Sequence, residues 1–101
     1  MKRLMVRYKV KAEMAQQNIE YIKNVFTALQ ESKPAGLRYA SFVLEDGVSF
    51  VHLASIETQD DSNPLPNFDE FKTFSQDIAE RCDEAPVVSS LETIGSYEVF
   101  N

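Results

Sequence analysis

Residues 37–57 read LRYASFVLEDGVSFVHLASIE, two apolar, β-branched and aromatic runs on either side of Asp46-Gly47. Asp-Gly between such runs is the pair a tight hairpin turn prefers, because both of its central residues need φ > 0. The spacing predicts two long antiparallel strands joined by a two-residue turn. Counting outward sets Glu45 opposite Val48, Val43 opposite Phe50, Ser41 opposite His52, Tyr39 opposite Ala54 and Leu37 opposite Ile56, all on one face. The other face carries Leu44, Phe42, Ala40 and Arg38 against Ser49, Val51, Leu53 and Ser55. Both faces are largely apolar, so each needs a cover.

The flanking segments supply covers for one face. Upstream, Leu4 to Lys11 alternates Leu4, Val6, Tyr8 and Val10 with Met5, Arg7, Lys9 and Lys11, which is strand periodicity. From about Glu13 to Ser32 the period becomes helical, with Ile19, Ile22, Phe26 and Leu29 on one stripe and Tyr21, Val25 and Ala28 widening it; Pro34 and Gly36 close this helix. Downstream, the acidic stretch Thr58–Pro66 (TQDDSNPLP) reads as a surface loop. Asn67 and Glu70 form a capping pair for a second helix whose apolar side carries Phe68, Phe71, Phe74, Ile78 and Cys82, and Pro86 stops it. Val87 to Phe100 is the expected last strand, with a bulge or bend at Gly95.

The order β-α-β-β-α-β is the split pattern of a ferredoxin-like α+β fold: a four-stranded antiparallel sheet with two helices on one face. It is expected to form one domain over residues 1–101. Since two helices cover one face only, a second copy is expected to cover the other, and face-to-face packing of two such sheets makes a homodimeric α/β barrel.

The net charge of −6 argues against nucleic acid as a partner. Lys2, Arg3, Arg7, Lys9 and Lys11 crowd the first strand, a pattern read as internal charge pairing with acidic neighbours. The lone cysteine, Cys82, fits a reducing compartment, and no run is apolar enough for a membrane span; a cytoplasmic location is expected. One Cys and one His fall short of a zinc site, and Glu57, Asp60 and Asp61 lack the spacing of a calcium loop, so no metal and no cofactor are expected.

The element order, with Gly36-Leu37-Arg38-Tyr39 opening the second strand and Phe50-Val51-His52-Leu53 in the third, resembles the dimeric α/β-barrel family that includes antibiotic-biosynthesis monooxygenases. The resemblance implies a barrel formed between subunits and a small aromatic or quinone-like ligand held between sheet and helices. It also implies, for some members, oxidation by molecular oxygen without metal or flavin, and for others haem degradation. Catalytic members usually carry a tryptophan near the end of the third strand, where Ile56 stands here; haem-degrading members add a histidine on the second helix and an asparagine on the first strand, and neither is present. The fold is carried across, and the catalytic residues are not.

The residues themselves offer His52, beside Ser41 in the hairpin register with Tyr39, Phe50 and Ala54 on the same face. Its plain reading is a core imidazole bonded to Ser41 or a backbone carbonyl; its functional reading is a pocket base or hydrogen-bond donor. His52 is thus the candidate catalytic residue, and His52, Tyr39, Ser41 and Phe50 are the candidate ligand-binding residues. Cys82 is read as packing near the C-terminal end of the second helix. These features point to a barrel that binds a small apolar or aromatic molecule between sheet and helices. The alternative is a cofactor-independent monooxygenase acting on a quinol or polyphenol, with His52 or a tyrosine aiding proton removal. A third reading is a dimer that recruits another protein through the Thr58–Pro66 loop.

Overall fold

The computed structural model describes residues 1–99. Its elements are β1 (Lys2–Val10), α1 (Ala15–Ser32, led in by a 3-10 turn at Ala12–Met14), β2 (Leu37–Val43), β3 (Ser49–Ile56), α2 (Asp69–Ser75), α3 (Ile78–Arg81) and β4 (Cys82–Ser90). The four strands form one antiparallel sheet in the order β2-β3-β1-β4. This is the ferredoxin-like α+β arrangement.

The hairpin register is the expected one: Leu37 pairs with Ile56, Tyr39 with Ala54, Ser41 with His52 and Val43 with Phe50. The turn itself differs. Gly47 N–H donates to Leu44 O at 3.0 Å and Leu44 N–H to Ser49 O at 2.8 Å, so Glu45 and Asp46 stand at the centre of the turn. Gly47 takes a positive φ of 77° and Asp46 does not. The reason is the Asp46 carboxylate, which accepts from the N–H groups of Val48 (3.0 Å) and Ser49 (2.8 Å) and from Ser49 Oγ (2.6 Å). Those bonds also hold its acid below the usual carboxylate range.

β1 pairs with β3 so that Val6 stands opposite His52 and Tyr8 opposite Phe50. The inner face therefore gathers Val6, Tyr8, Val10, Leu37, Tyr39 and Phe50, and against it pack Ile19, Ile22, Val25 and Leu29 of α1 and Phe71 and Phe74 of α2. Tyr8 and Phe50 stack at 5.5 Å between centroids, the middle of this core.

The single second helix expected up to Cys82 is instead two short ones. α2 stops at Ser75, and Asp77 takes a left-handed φ of 58° before α3. The break is held by Arg81, whose guanidinium donates to the carbonyls of Phe74 and Gln76, acceptors that a continuous helix would have spent on its own N–H groups. Asn67 makes no cap: it lies in the 3-10 turn Leu65–Asn67, and the residue before α2 is Phe68, without a side-chain cap bond.

The last strand is also displaced. It spans Cys82–Ser90 rather than Val87–Phe100; Gly95 lies outside it, and Phe100 lies outside the described residues. Cys82 thus opens β4, with burial pushing its thiol pKa up. Pro86 sits within the strand, which is possible because β4 is an edge and its pairing with β1 shifts register between Arg7 and Val10. The Thr58–Pro66 loop is not wholly at the surface either, since Leu65 is buried in the core.

All the helices of the core pack on the inner face. On the outer face Phe42 and Val87 are 52% and 53% exposed. Ala40, Phe42, Leu53, Ser55, Leu91 and Val99 border a groove of about 340 Å³ there. The segment after β4 is tied along it by Leu91 N–H to Arg3 O (2.8 Å) and Arg38 Nη1 to Val99 O (3.4 Å). Of the basic residues expected to pair on the first strand, Arg3 meets Glu57 at 3.9 Å, a carboxylate shared with Arg38 of β2 at 3.3 Å, and the N-terminal amine just before the strand meets Asp61 at 2.9 Å.

Gly36 links α1 to the sheet with φ +76°, and a Cβ there would meet Thr58 Cγ2 at 2.8 Å and the Thr58 backbone at 3.0 Å. Gly36→Ala is expected to cost about 2 kcal/mol, combining the left-handed penalty with the clash. Gly47→Ala, facing open space at a similar φ, is expected to cost about half as much. Urea unfolding of the two variants checks the difference.

Candidate functional site

Alternation along β3 turns Phe50, His52 and Ala54 to the inner face, and the two neighbouring strands bring three hydroxyls to the imidazole. Ser41 Oγ lies 2.6 Å and Tyr39 OH 2.9 Å from Nδ1, while Tyr8 OH lies 2.7 Å from Nε2. Aromatic rings enclose the group. Tyr8 stacks on the imidazole at 5.3 Å, Tyr39 at 5.9 Å, and Phe74 of α2 meets it tilted at 5.3 Å. Tyr39 in turn stacks on Phe26 of α1 at 5.2 Å.

The polar contacts continue into the helices. Asn18, fully buried on α1, donates from Nδ2 to Tyr8 OH at 2.9 Å. Its Oδ1 accepts from Arg81 Nε and Nη2 at 3.4 and 3.3 Å. Arg81 is only 6% exposed, and its guanidinium lies over the Tyr21 ring at 5.0 Å and the Phe74 ring at 5.6 Å.

Burial sets the protonation states. Desolvation pushes the His52 pKa down to about 4, so the imidazole is neutral at pH 7. It pushes Tyr39 up to about 12 and raises Tyr8 further, against an opposing hydrogen bond from Asn18. With both ring nitrogens engaged and a weakly basic imidazole, His52 is better suited to orienting a neighbour than to removing a proton.

A cavity of about 100 Å³ lies between sheet and helices, bordered by Tyr8, Tyr39, His52, Leu65, Phe71 and Phe74. That is room for about three waters, well short of the roughly 300 Å³ at which pockets for drug-sized molecules begin. Of the four residues the sequence pointed to, His52 and Tyr39 border this cavity, Ser41 bonds to His52, and Phe50 packs beneath Tyr8 in the core. Asn18 and Arg81 escaped that reading. Asn18 had a signal, since it falls four residues before Ile22 and seven before Val25, a polar side chain on the apolar stripe.

Among the described residues no group of three or more His, Cys, Asp and Glu side chains could hold a metal ion. No helix there is long and apolar enough to cross a membrane.

No family model and no curated protein sequence matches the chain. Solved structures do match in fold. An antibiotic biosynthesis monooxygenase superposes with a TM-score of 0.75 at 14% identity, over 94% of this chain and 100% of its own. Rv0793 from Mycobacterium tuberculosis gives 0.74 at 11% identity, over 94% and 96%. SnoaB, a cofactor-independent oxygenase from Streptomyces nogalater, gives 0.68 at 10% identity, over 96% of each chain. The chain shares the fold of antibiotic-biosynthesis-monooxygenase-like proteins.

Proposed function

We propose that this protein is a small-molecule-binding homodimer that takes an apolar or aromatic ligand into the cavity between sheet and helices. The observation that carries the reading is the pairing of that cavity's apolar wall, Leu65, Phe71 and Phe74, with the few polar groups of Tyr39, Tyr8 and His52. An apolar recess with a small number of placed hydrogen-bonding groups is the usual makeup of a ligand site. Shared fold with an oxygenase keeps the cofactor-independent monooxygenase as a second reading, although fold alone hosts many functions. The engaged His52 nitrogens favour binding over proton removal.

A thermal-shift screen of aromatic acids, ketones, quinones and haem tests the reading, since a ligand bound by the folded state raises its melting temperature. For a stabilising ligand, Tyr39→Phe is expected to weaken binding about tenfold, the worth of one hydrogen bond. No stabilisation by any compound would remove the cavity as a ligand site. Oxygen uptake with hydroquinones, lost in Tyr39→Phe, would move the conclusion to the oxygenase.

A further inference from the structure

We infer that Arg81 is a positioning residue: acting through Asn18 and Tyr8, it holds His52 as the Nδ1–H tautomer and makes the Tyr39 end of the chain a hydrogen-bond donor toward the cavity. The ligand selected is then one that offers an acceptor oxygen.

The direction follows from what each group can give. A guanidinium only donates, so the oxygen of Asn18 must face Arg81, whose Nε and Nη2 lie 3.4 and 3.3 Å away. The amide nitrogen is thereby turned to Tyr8, to which it donates at 2.9 Å. Tyr8 oxygen accepts that bond, and among the described residues its own buried proton has one acceptor within reach, His52 Nε2 at 2.7 Å. A buried donor left without an acceptor is costly, so Nε2 carries the lone pair and Nδ1 the proton. Nδ1–H donates to Ser41 Oγ at 2.6 Å. Tyr39 OH lies 2.9 Å from the same Nδ1 and, with the proton there, can only accept from it; its own proton is left to donate onward, and Tyr39 borders the cavity. Every bond in the series points away from Arg81. The cation strengthens each donor in turn, since hydrogen bonds in a low-dielectric interior polarise their neighbours.

Arg81 reaches this position because of the break after α2. Its side chain is held by the Phe74 and Gln76 carbonyls and by the Tyr21 face. Among the described residues no carboxylate within 4.0 Å neutralises it, so the donor-only character of the guanidinium is passed to Asn18 undiluted.

His52 is the one histidine of the chain, so a long-range 1H–15N spectrum shows a single imidazole and reads the tautomer directly. The native protein is expected to show a protonated Nδ1 and a bare Nε2. Asn18→Asp, close in shape but without an N–H, makes the side chain an acceptor on both sides. Tyr8 then donates to it and accepts from Nε2, and the tautomer is expected to reverse. Arg81→Lys keeps a donor-only group and the native tautomer, whereas Arg81→Met frees the amide to flip and is expected to give a mixture. A merely structural role for Arg81 and Asn18 would lower stability in these variants with the tautomer unmoved. A native Nε2–H tautomer, or an unchanged one in Asn18→Asp, overturns the inference; if Arg81→Met fails to fold, Asn18→Asp still decides.

The ligand half rests on the cavity being the binding site and is read separately. Acetophenone, which only accepts, is expected to bind the native protein about tenfold tighter than indole, which only donates, with the order reversed in Asn18→Asp. Equal binding of the two overturns the selection. Binding of neither, with the tautomers as expected, overturns the cavity as a ligand site and leaves Arg81 as the residue that orients His52.

Discussion

Phe42→Glu is expected to leave the fold intact and abolish self-association. Phe42 is 52% exposed in the single chain, on the sheet face opposite the described helices, so the substitution there should change monomer stability by no more than about 0.5 kcal/mol. Its strand partner is Val51, and Leu53 and Ala40 pair in the next row, giving an apolar band across β2 and β3. If two copies meet on that band, glutamate would place an unpaired carboxylate in the contact. That costs about 3 kcal/mol or more, a hundredfold or greater loss of affinity. Light scattering or sedimentation at micromolar concentration reads the outcome. A native protein that is already a single chain under those conditions would remove the homodimer.

Acid is the second large lever. Protonated His52 is tolerated by the unfolded chain near pH 6.5 but by the folded one only near pH 4, so the unfolded state binds the extra proton throughout that interval. The contribution is fully present above pH 6.5, falls as pH drops, and levels off at about 4. At about 1.4 kcal/mol per pH unit the whole interval amounts to roughly 3 kcal/mol, a large share of a small domain's stability. Asp46, Glu57, Asp60 and Asp61 all have carboxyls held below their usual range, so their stabilisation is lost only at more acid pH. Between about pH 5 and 6.5 the slope therefore belongs to the imidazole. Urea unfolding across that range should show a decline in the native protein and little in His52→Gln; equal slopes would mean that His52 is not held neutral by the fold.

The local periods carried the sequence reading a long way. Alternation at Leu4–Val10, the stripe of α1 and the Asp46-Gly47 centre were enough to set β1, α1 and the register that puts Ser41 beside His52. Asp46 served as a centre of symmetry even though the turn it makes is of another type. What failed was long-range. Phe71, Phe74, Ile78 and Cys82 keep a helical spacing across a break whose cause is a side chain, Arg81, folding back on carbonyls several residues earlier. Pro86 reads as a stop unless it is known that the strand containing it is an edge, and edge position is a property of the assembled sheet. The same limit applied to the site. Tyr39 and Ser41 are neighbours of His52 through one hairpin, while Tyr8 depends on β1–β3 pairing, and Asn18 and Arg81 on helix docking.

Pro86 has a further effect on how the chain keeps company. A proline has no amide to offer, Asp83 and Glu84 beside it carry like charge, and the shifted register bends that margin out of line. A stranger's strand arriving there finds an incomplete, repelling template, so growth by adding strands sideways, the route to fibres, is blunted on that flank. On that rim the sheet offers a second copy a poor margin to pair with.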